Sequence, residues 1–184
     1  MKNIIFFGDS LTAGYGLASA AKESFPALIG DKLKAQNLPY QVINAGVSGD
    51  TTTGGLARLN YWLRNPVDVF VLELGINDAM RSVPPETIAT NLQTIIDRVK
   101  AKYPEVKLVL LGMEIPVFLG GPVALQFSAI YRRLATDNQM AFLPFLLQGV
   151  AGQQHLNLWD RVHPSAAGYK IVAELVWPVL KGVL

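Results

Sequence analysis

The chain has 184 residues, 51% of them apolar, and 16 basic against 14 acidic side chains leave a formal charge of +2, too small and too scattered for a nucleic-acid surface. Cysteine is absent and the only histidines are His155 and His163, which excludes a disulfide framework, a thiolate metal site and a cysteine nucleophile and argues against a His-rich metal centre. No repeat, low-complexity tract or linker divides the chain, so one domain over residues 1–184 with a single sizeable core is expected.

In chain order, a first strand is predicted over 3–7, "NIIFF", apolar at every position after Asn3. It leaves no space for a charged and apolar leader in the sequence as it stands, which fits either a cytoplasmic protein or one whose export signal has been removed. "GDSLT" follows, and Ser10 there is either a turn residue or a nucleophile at the rim of a sheet. A helix is predicted over 25–36 and a second strand over 40–45, then the small, polar loop "NAGVSGDTT" (44–52) and a helix over 52–64. The third strand, 67–75, runs into "LGINDA" (74–79). Ile88, Leu92, Ile95, Ile96 and Val99 recur every three or four residues, placing a helix between Pro84–Pro85 and Pro104. A fourth strand is expected over 106–113, and a helix over 124–138. A weaker fifth strand over 140–145 should end at Pro144, and Ser165 should cap a last helix over 165–181.

Short strands apolar on both alternate sets of positions, separated by helices, read as an α/β fold. They imply a five-stranded parallel sheet with helices on both faces. In such sheets ligands gather beyond the carboxyl ends of the strands, where "GDS", "NAGVSGDTT" and "GIND" all fall. Taken singly, each loop is explained by local backbone needs. "WDRVHPSAAGY" (159–169) changes that balance, because Asp160 stands three residues before His163. A carboxylate at that spacing can hold the imidazole Nδ1 and leave Nε2 free to accept a hydroxyl proton. Together the loops offer a nucleophile, a base, an orienting acid and amide donors, which is what acyl transfer requires.

"GDSLT", "NAGVSGDTT", "GIND" and "DRVHP", in that order along nearly the whole chain, resemble the four blocks of the GDSL or SGNH hydrolases. Within that superfamily the chain is most similar to the bacterial thioesterase I, arylesterase and lysophospholipase group. The resemblance implies a three-layer flavodoxin-like sandwich with strand order 2-1-3-4-5. It implies that Ser10 is the nucleophile, His163 the general base and then acid, and Asp160 the residue that orients it. The oxyanion hole would be formed by the backbone N–H groups of Ser10 and Gly46 and the side-chain amide of Asn77, with Gly46 leaving space for the developing oxyanion. Neither a cofactor nor a metal is expected. The expected partner is a small acyl or aryl ester, with acyl thioesters and lysophospholipids as extensions, no nucleic acid and no membrane span, though transient contact with a lipid surface is compatible. A carbohydrate O-acetylesterase with the same catalytic residues is the alternative, and a flavodoxin-like binding module a weaker one.

Two positions depart from the family's pattern: Arg161, where glycine is frequent, and Ile76, where smaller residues are frequent. Arg161 either tunes the base, meets an acidic substrate or faces solvent, and Ile76 would narrow the site. The loops after the fourth and fifth strands carry Ile115, Val117, Phe118 and Leu119, and Leu146, Leu147 and Val150. These side chains either line a lipophilic trough, for which Ile76 and the 115–119 set are the candidates, or fold back into the core. "GYG" (14–16) is a weak dinucleotide fingerprint, since Ser19 takes the third glycine's place. A G-x-S-x-G elbow is missing, with Thr12 standing at its second glycine. His155, with no acidic neighbour at a useful spacing, is expected on the surface, and Asp9 and Asp50 are expected to brace loops rather than move protons.

Overall fold

Phe6 and Phe7, adjacent in the first strand, point to opposite faces of the sheet, and between them they define the layers of the molecule. The structure, a computed structural model, describes residues 1–115 and 117–184, with the backbone alone for 117–120. Phe6 packs edge to face on Phe25 with ring centroids 5.5 Å apart, and Phe25 stacks at 6.5 Å on Tyr169. Phe7 meets Phe70 at 5.4 Å on the other side. All of these rings are buried, each contributing about 1.5–3 kcal/mol of apolar burial.

The strands are β1 (Lys2–Gly8), β2 (Tyr40–Gly46), β3 (Val69–Glu73), β4 (Lys107–Leu111) and β5 (Ala141–Leu143). They pair in parallel in the order β2-β1-β3-β4-β5, as expected from the resemblance. β3 is buried at every residue, which is why it lacks polar alternation. β5 ends at Leu143, directly before Pro144.

Between the strands run α1 (Ser10–Ala13), α2 (Ala20–Glu23), α3 (Phe25–Ala35), α4 (Thr52–Trp62), α5 (Ile76–Met80), α6 (Pro85–Lys102) and α7 (Val117–Asp137), and α8 (Ala166–Lys181) follows β5. α3 packs with α8 on one face of the sheet, and α4, α6 and α7 pack in series on the other. Ser24 caps α3 by accepting from the Ala27 N–H, with Pro26 in its first turn, and Ser165 caps α8 through the Gly168 N–H. α7 joins two helical segments at Gly121 (φ 51°), directly before Pro122, so the 124–138 helix read from sequence is its second segment.

Three short helices, α1, α2 and α5, carry no sequence periodicity because each is about one turn long. Two of them matter for function. α1 places Ser10 at its first residue, immediately beyond β1, and stops at Gly14 (φ 80°); α5 carries Asn77 and Asp78 beyond β3. Among the described residues, no helix is long and apolar enough to cross a membrane.

Candidate active site

Asp9 starts the site by capping α1: its Oδ1 accepts the Leu11 N–H at 3.0 Å, which fixes the single turn that displays Ser10. The Ser10 hydroxyl lies 2.9 Å from Nε2 of His163, a residue 153 positions away, and Nδ1 of the same ring lies 2.7 Å from Asp160 Oδ2. Asp160 Oδ1 accepts the backbone N–H groups of Val162 (2.9 Å) and His163 (3.0 Å), so one carboxylate holds both the ring and the loop bearing it. Partial burial pushes the Asp160 carboxyl up, but those two N–H groups and the imidazole outweigh it and hold it below the usual aspartate value. The Tyr15 ring covers the imidazole at 4.7 Å, centroid to centroid.

Asn77 donates through Nδ2 to Asp9 Oδ2 at 2.9 Å, which places its amide beside the N-terminus of α1. Gly46 packs against α1 as well. A Cβ added to Gly46 would strike the Ala13 nitrogen and lie 2.7 Å from Ala13 Cα. The glycine is therefore required by the close approach of β2 to the backbone of α1, a different reason from the space for an oxyanion inferred from sequence. Its N–H donates to Asn44 Oδ1 at 3.0 Å, and Asn44 Nδ2 donates to the Thr12 carbonyl at 2.8 Å.

Loop bracing involves residues that sequence reading left unassigned. Arg58 donates to Asp50 Oδ2 (2.7 Å), to the Ala45 carbonyl (2.8 Å) and to the Gly8 carbonyl (2.9 Å), with its guanidinium 3.9 Å from the centroid of the Phe7 ring. One side chain thus ties together the ends of β1 and β2. Asp50 braces its loop through Arg58, as expected of it. Asp78 is buried and accepts both the N–H and the hydroxyl of Thr52, at 2.8 and 2.6 Å, joining the second and third loops. Beneath Ser10 lies Glu73, the last residue of β3, fully buried. Its Oε2 accepts the Asp9 N–H at 3.2 Å and the Thr12 hydroxyl at 2.8 Å, while Oε1 has no hydrogen-bond partner. The available signal was an acid inside "VFVLELG", in a strand covered on both faces.

Arg161 is exposed and adopts φ 59°, the left-handed region that glycine enters without cost, so the frequent glycine of the family meets a backbone requirement at this position. His155 is exposed, as expected. Leu146, Leu147 and Val150 are buried in the core and line no trough. Ile76 and Ile115 do line one. A cavity of about 540 Å³ opens along α5, walled by Ile76, the residue before Asn77, and by Val83, Ile88, Ile115, Val123 and Phe127. The side chains of Val117, Phe118 and Leu119 lie outside the described residues.

A parallel sheet in this order, with a serine, an imidazole and a carboxylate in series past its carboxyl edge, is the architecture of a class of serine hydrolases distinct from the α/β-hydrolases. Residues 6–171 match the GDSL-like Lipase/Acylhydrolase family, and the chain belongs to it. Among individual relatives, the chain is 35% identical to "Esterase TesA" of Pseudomonas aeruginosa over all of this chain and 90% of that one. It is 34% identical to "Arylesterase" of Vibrio mimicus, over 95% of this chain and 86% of the other. Identity is also 34% to "Thioesterase 1/protease 1/lysophospholipase L1" of Escherichia coli strain K12, covering 93% and 79%. A crystal structure of TesA superposes with a TM-score of 0.92 over the whole of both chains, at 35% identity.

Proposed function

We propose that the protein is a serine esterase that hydrolyses acyl or aryl carboxylic esters through an acyl-enzyme. The observation that carries this reading is the Ser10–His163–Asp160 series, with contacts of 2.9 and 2.7 Å. Nε2 of His163 takes the Ser10 proton as Oγ attacks the ester carbonyl, and Asp160 holds the tautomer that leaves Nε2 free and stabilises the imidazolium. The tetrahedral oxyanion is met by the backbone N–H groups of Ser10 and Gly46 and by the Asn77 amide. The Gly46 N–H is shared with Asn44 Oδ1 until substrate arrives. The imidazolium then protonates the departing alcohol, and a water activated by the same ring releases the acid.

The apolar cavity along α5, which Ile76 joins to the neighbouring Asn77, supports an acyl chain or aryl ring as the group held during reaction, and it disfavours an acetylated sugar, which calls for polar and aromatic lining. The names of the relatives extend the candidate class to acyl thioesters and lysophospholipids. Transient contact with lipid surfaces is supported by exposed apolar side chains in the loops past the carboxyl edge: Tyr15, Val47, Met80, Val162 and Trp159, the last 93% exposed. A chain-length series of nitrophenyl esters, with acyl thioesters and acetylated sugars alongside, tests the reading together with fluorophosphonate labelling. Hydrolysis and labelling that both vanish in Ser10→Ala are expected. Undiminished turnover in that variant would overturn the assignment.

A further inference from the structure

Asp9 and Glu73 form a pair of fully buried carboxyl groups directly under the nucleophile, and among the described residues no cation is paired with either. The nearby guanidinium of Arg58 is committed to Asp50 and to the carbonyls of Ala45 and Gly8. Gly8 makes the arrangement possible, since a Cβ there would collide with the Thr12 hydroxyl and come within 2.5 Å of Glu73 Oε2. Two carboxylates in such a place cannot both be ionised, because each would be stripped of water and repelled by the other. The pair therefore holds one proton, and its location matters for Asn77.

The partners of the four oxygens decide that location. Both Asp9 oxygens face donors, the Leu11 N–H and the Asn77 amide. On Glu73 only Oε2 is engaged, and Oε1 is buried without a partner. As part of a neutral acid, Oε1 is an idle carbonyl oxygen; as part of a carboxylate, it would carry half a charge with nothing to meet it. A proton on Oε2 has the Thr12 oxygen at 2.8 Å as its acceptor, because a hydroxyl both donates and accepts. Electrostatics agree: burial and the neighbouring Asp9 push Glu73 well above the usual glutamate value, while burial, opposed by the Leu11 N–H and the other polar neighbours, leaves Asp9 at about 6.

The charge on Asp9 in turn sets the orientation of Asn77. An ionised Asp9 is only an acceptor, so the amide must present its NH2 group to Oδ2, which leaves a second N–H on the same nitrogen for the substrate oxygen. A protonated Asp9 could donate to the amide oxygen instead, and the Asn77 amide would then be free to turn. We propose that Glu73 is a positioning residue that keeps the proton of the Asp9–Glu73 pair, so that Asp9 remains an acceptor and fixes the Asn77 amide as an oxyanion donor. This rests on the esterase reading, in which Asn77 meets the oxyanion.

Two isosteric variants separate this role from simple packing. Glu73→Gln keeps the group neutral and should lose at least about tenfold less kcat for a nitrophenyl ester than Asp9→Asn does. Asp9→Asn brings an NH2 group to the acceptor position, turns the Asn77 amide around, and should lower kcat about a hundredfold, as Asn77→Ala does, with KM little changed. Asp9→Asn combined with Asn77→Ala should be no slower than Asn77→Ala alone. A Glu73→Gln loss matching that of Asp9→Asn, or multiplicative losses in the double variant, would overturn the proposal. Infrared spectra provide a readout independent of activity. A protonated-carboxyl stretch present at neutral pH in the wild type and retained in Asp9→Asn is expected, and its absence from both proteins would overturn the proposal even if Glu73→Gln does not fold. Wild-type protein that neither hydrolyses esters nor reacts with fluorophosphonate fails the esterase reading, whereas the infrared result still reports where the proton lies.

Discussion

Asp160 holds His163 twice, through Nδ1 of the ring at 2.7 Å and through the residue's own backbone N–H at 3.0 Å. The two contacts use different oxygens, so the role in orienting the base and the role in shaping the loop can be separated by substitution. Asp160→Asn keeps an oxygen for one of these jobs and puts an NH2 group where the other was done. It is expected to lower kcat by about 10² to 10⁴, with only a small change in melting temperature. Asp160→Ala should lower kcat comparably and also loosen residues 158–163, measured as faster amide exchange at Val162 and His163. Equal exchange in the two variants would remove the loop-shaping role.

Gly46→Ala places a methyl group against the backbone of α1, the turn that carries Ser10. Backbone cannot yield as a side chain tip does, so α1 or β2 must move. A stability loss of about 1–3 kcal/mol is expected from overpacking alone, with a fall in kcat larger than any change in KM. Urea denaturation together with steady-state kinetics checks both. A variant with full stability and full activity would mean that the two backbones have room to separate.

The apolar cavity has Ala79 in its wall one turn from Ile76, both on α5. Ala79→Phe should fill part of it and move the preferred nitrophenyl ester toward shorter acyl chains, lowering kcat/KM for the longest good substrate by about tenfold while sparing the acetate. That selectivity corresponds to about 1–3 kcal/mol of lost apolar contact in a pocket. An unchanged chain-length profile would place the acyl group elsewhere.

The buried carboxyl pair makes stability depend on pH in a direction opposite to that of an ion-paired acid. Asp9, raised to about 6, and Glu73, raised well above its usual value, keep protons in the folded protein that the unfolded chain gives up near pH 4. Unfolding free energy should therefore fall as pH rises from about 4, up to about 6 for Asp9, which contributes on the order of 2–3 kcal/mol, and onward past that for Glu73. Asp160, held below its usual value, acts the other way. Its stabilisation is present above the ordinary aspartate range and is lost as pH falls beneath it, outside that window. Urea midpoints measured across pH 4–7 should decline in the wild type and decline less in Glu73→Gln. Parallel curves would mean that Glu73 takes no part in the titration.

Legibility in the sequence followed the range of the interaction. The Asp160–His163 pair could be read directly because three residues of spacing suffice to bring an acid to a ring, and Ser165 caps a helix that starts beside it. The three inner strands announced themselves because a strand covered on both faces has no choice but to be apolar throughout, whereas the edge strands β2 and β5 are largely half-buried and gave a weaker signal; with crossover helices between the strands a parallel sheet follows. Strand order came from resemblance, since apolar runs do not name their neighbours. Loops were harder: Leu146, Leu147 and Val150 read the same as Ile115, yet the first three complete the core and Ile115 lines an open cavity.

Composition and local spacing thus determined an α/β chain with a serine, a histidine and an aspartate available for acyl transfer. Folding alone decided that Ser10 would meet a ring 153 residues away, that Gly46 answers to the backbone of α1, and that Glu73 comes to lie under Asp9 across the β1–β3 pairing. The reason is physical. A hydrogen bond within one turn depends on dihedral preferences that neighbouring residues set, whereas a contact between strands depends on register, layer and burial, which exist only once the whole sheet has formed.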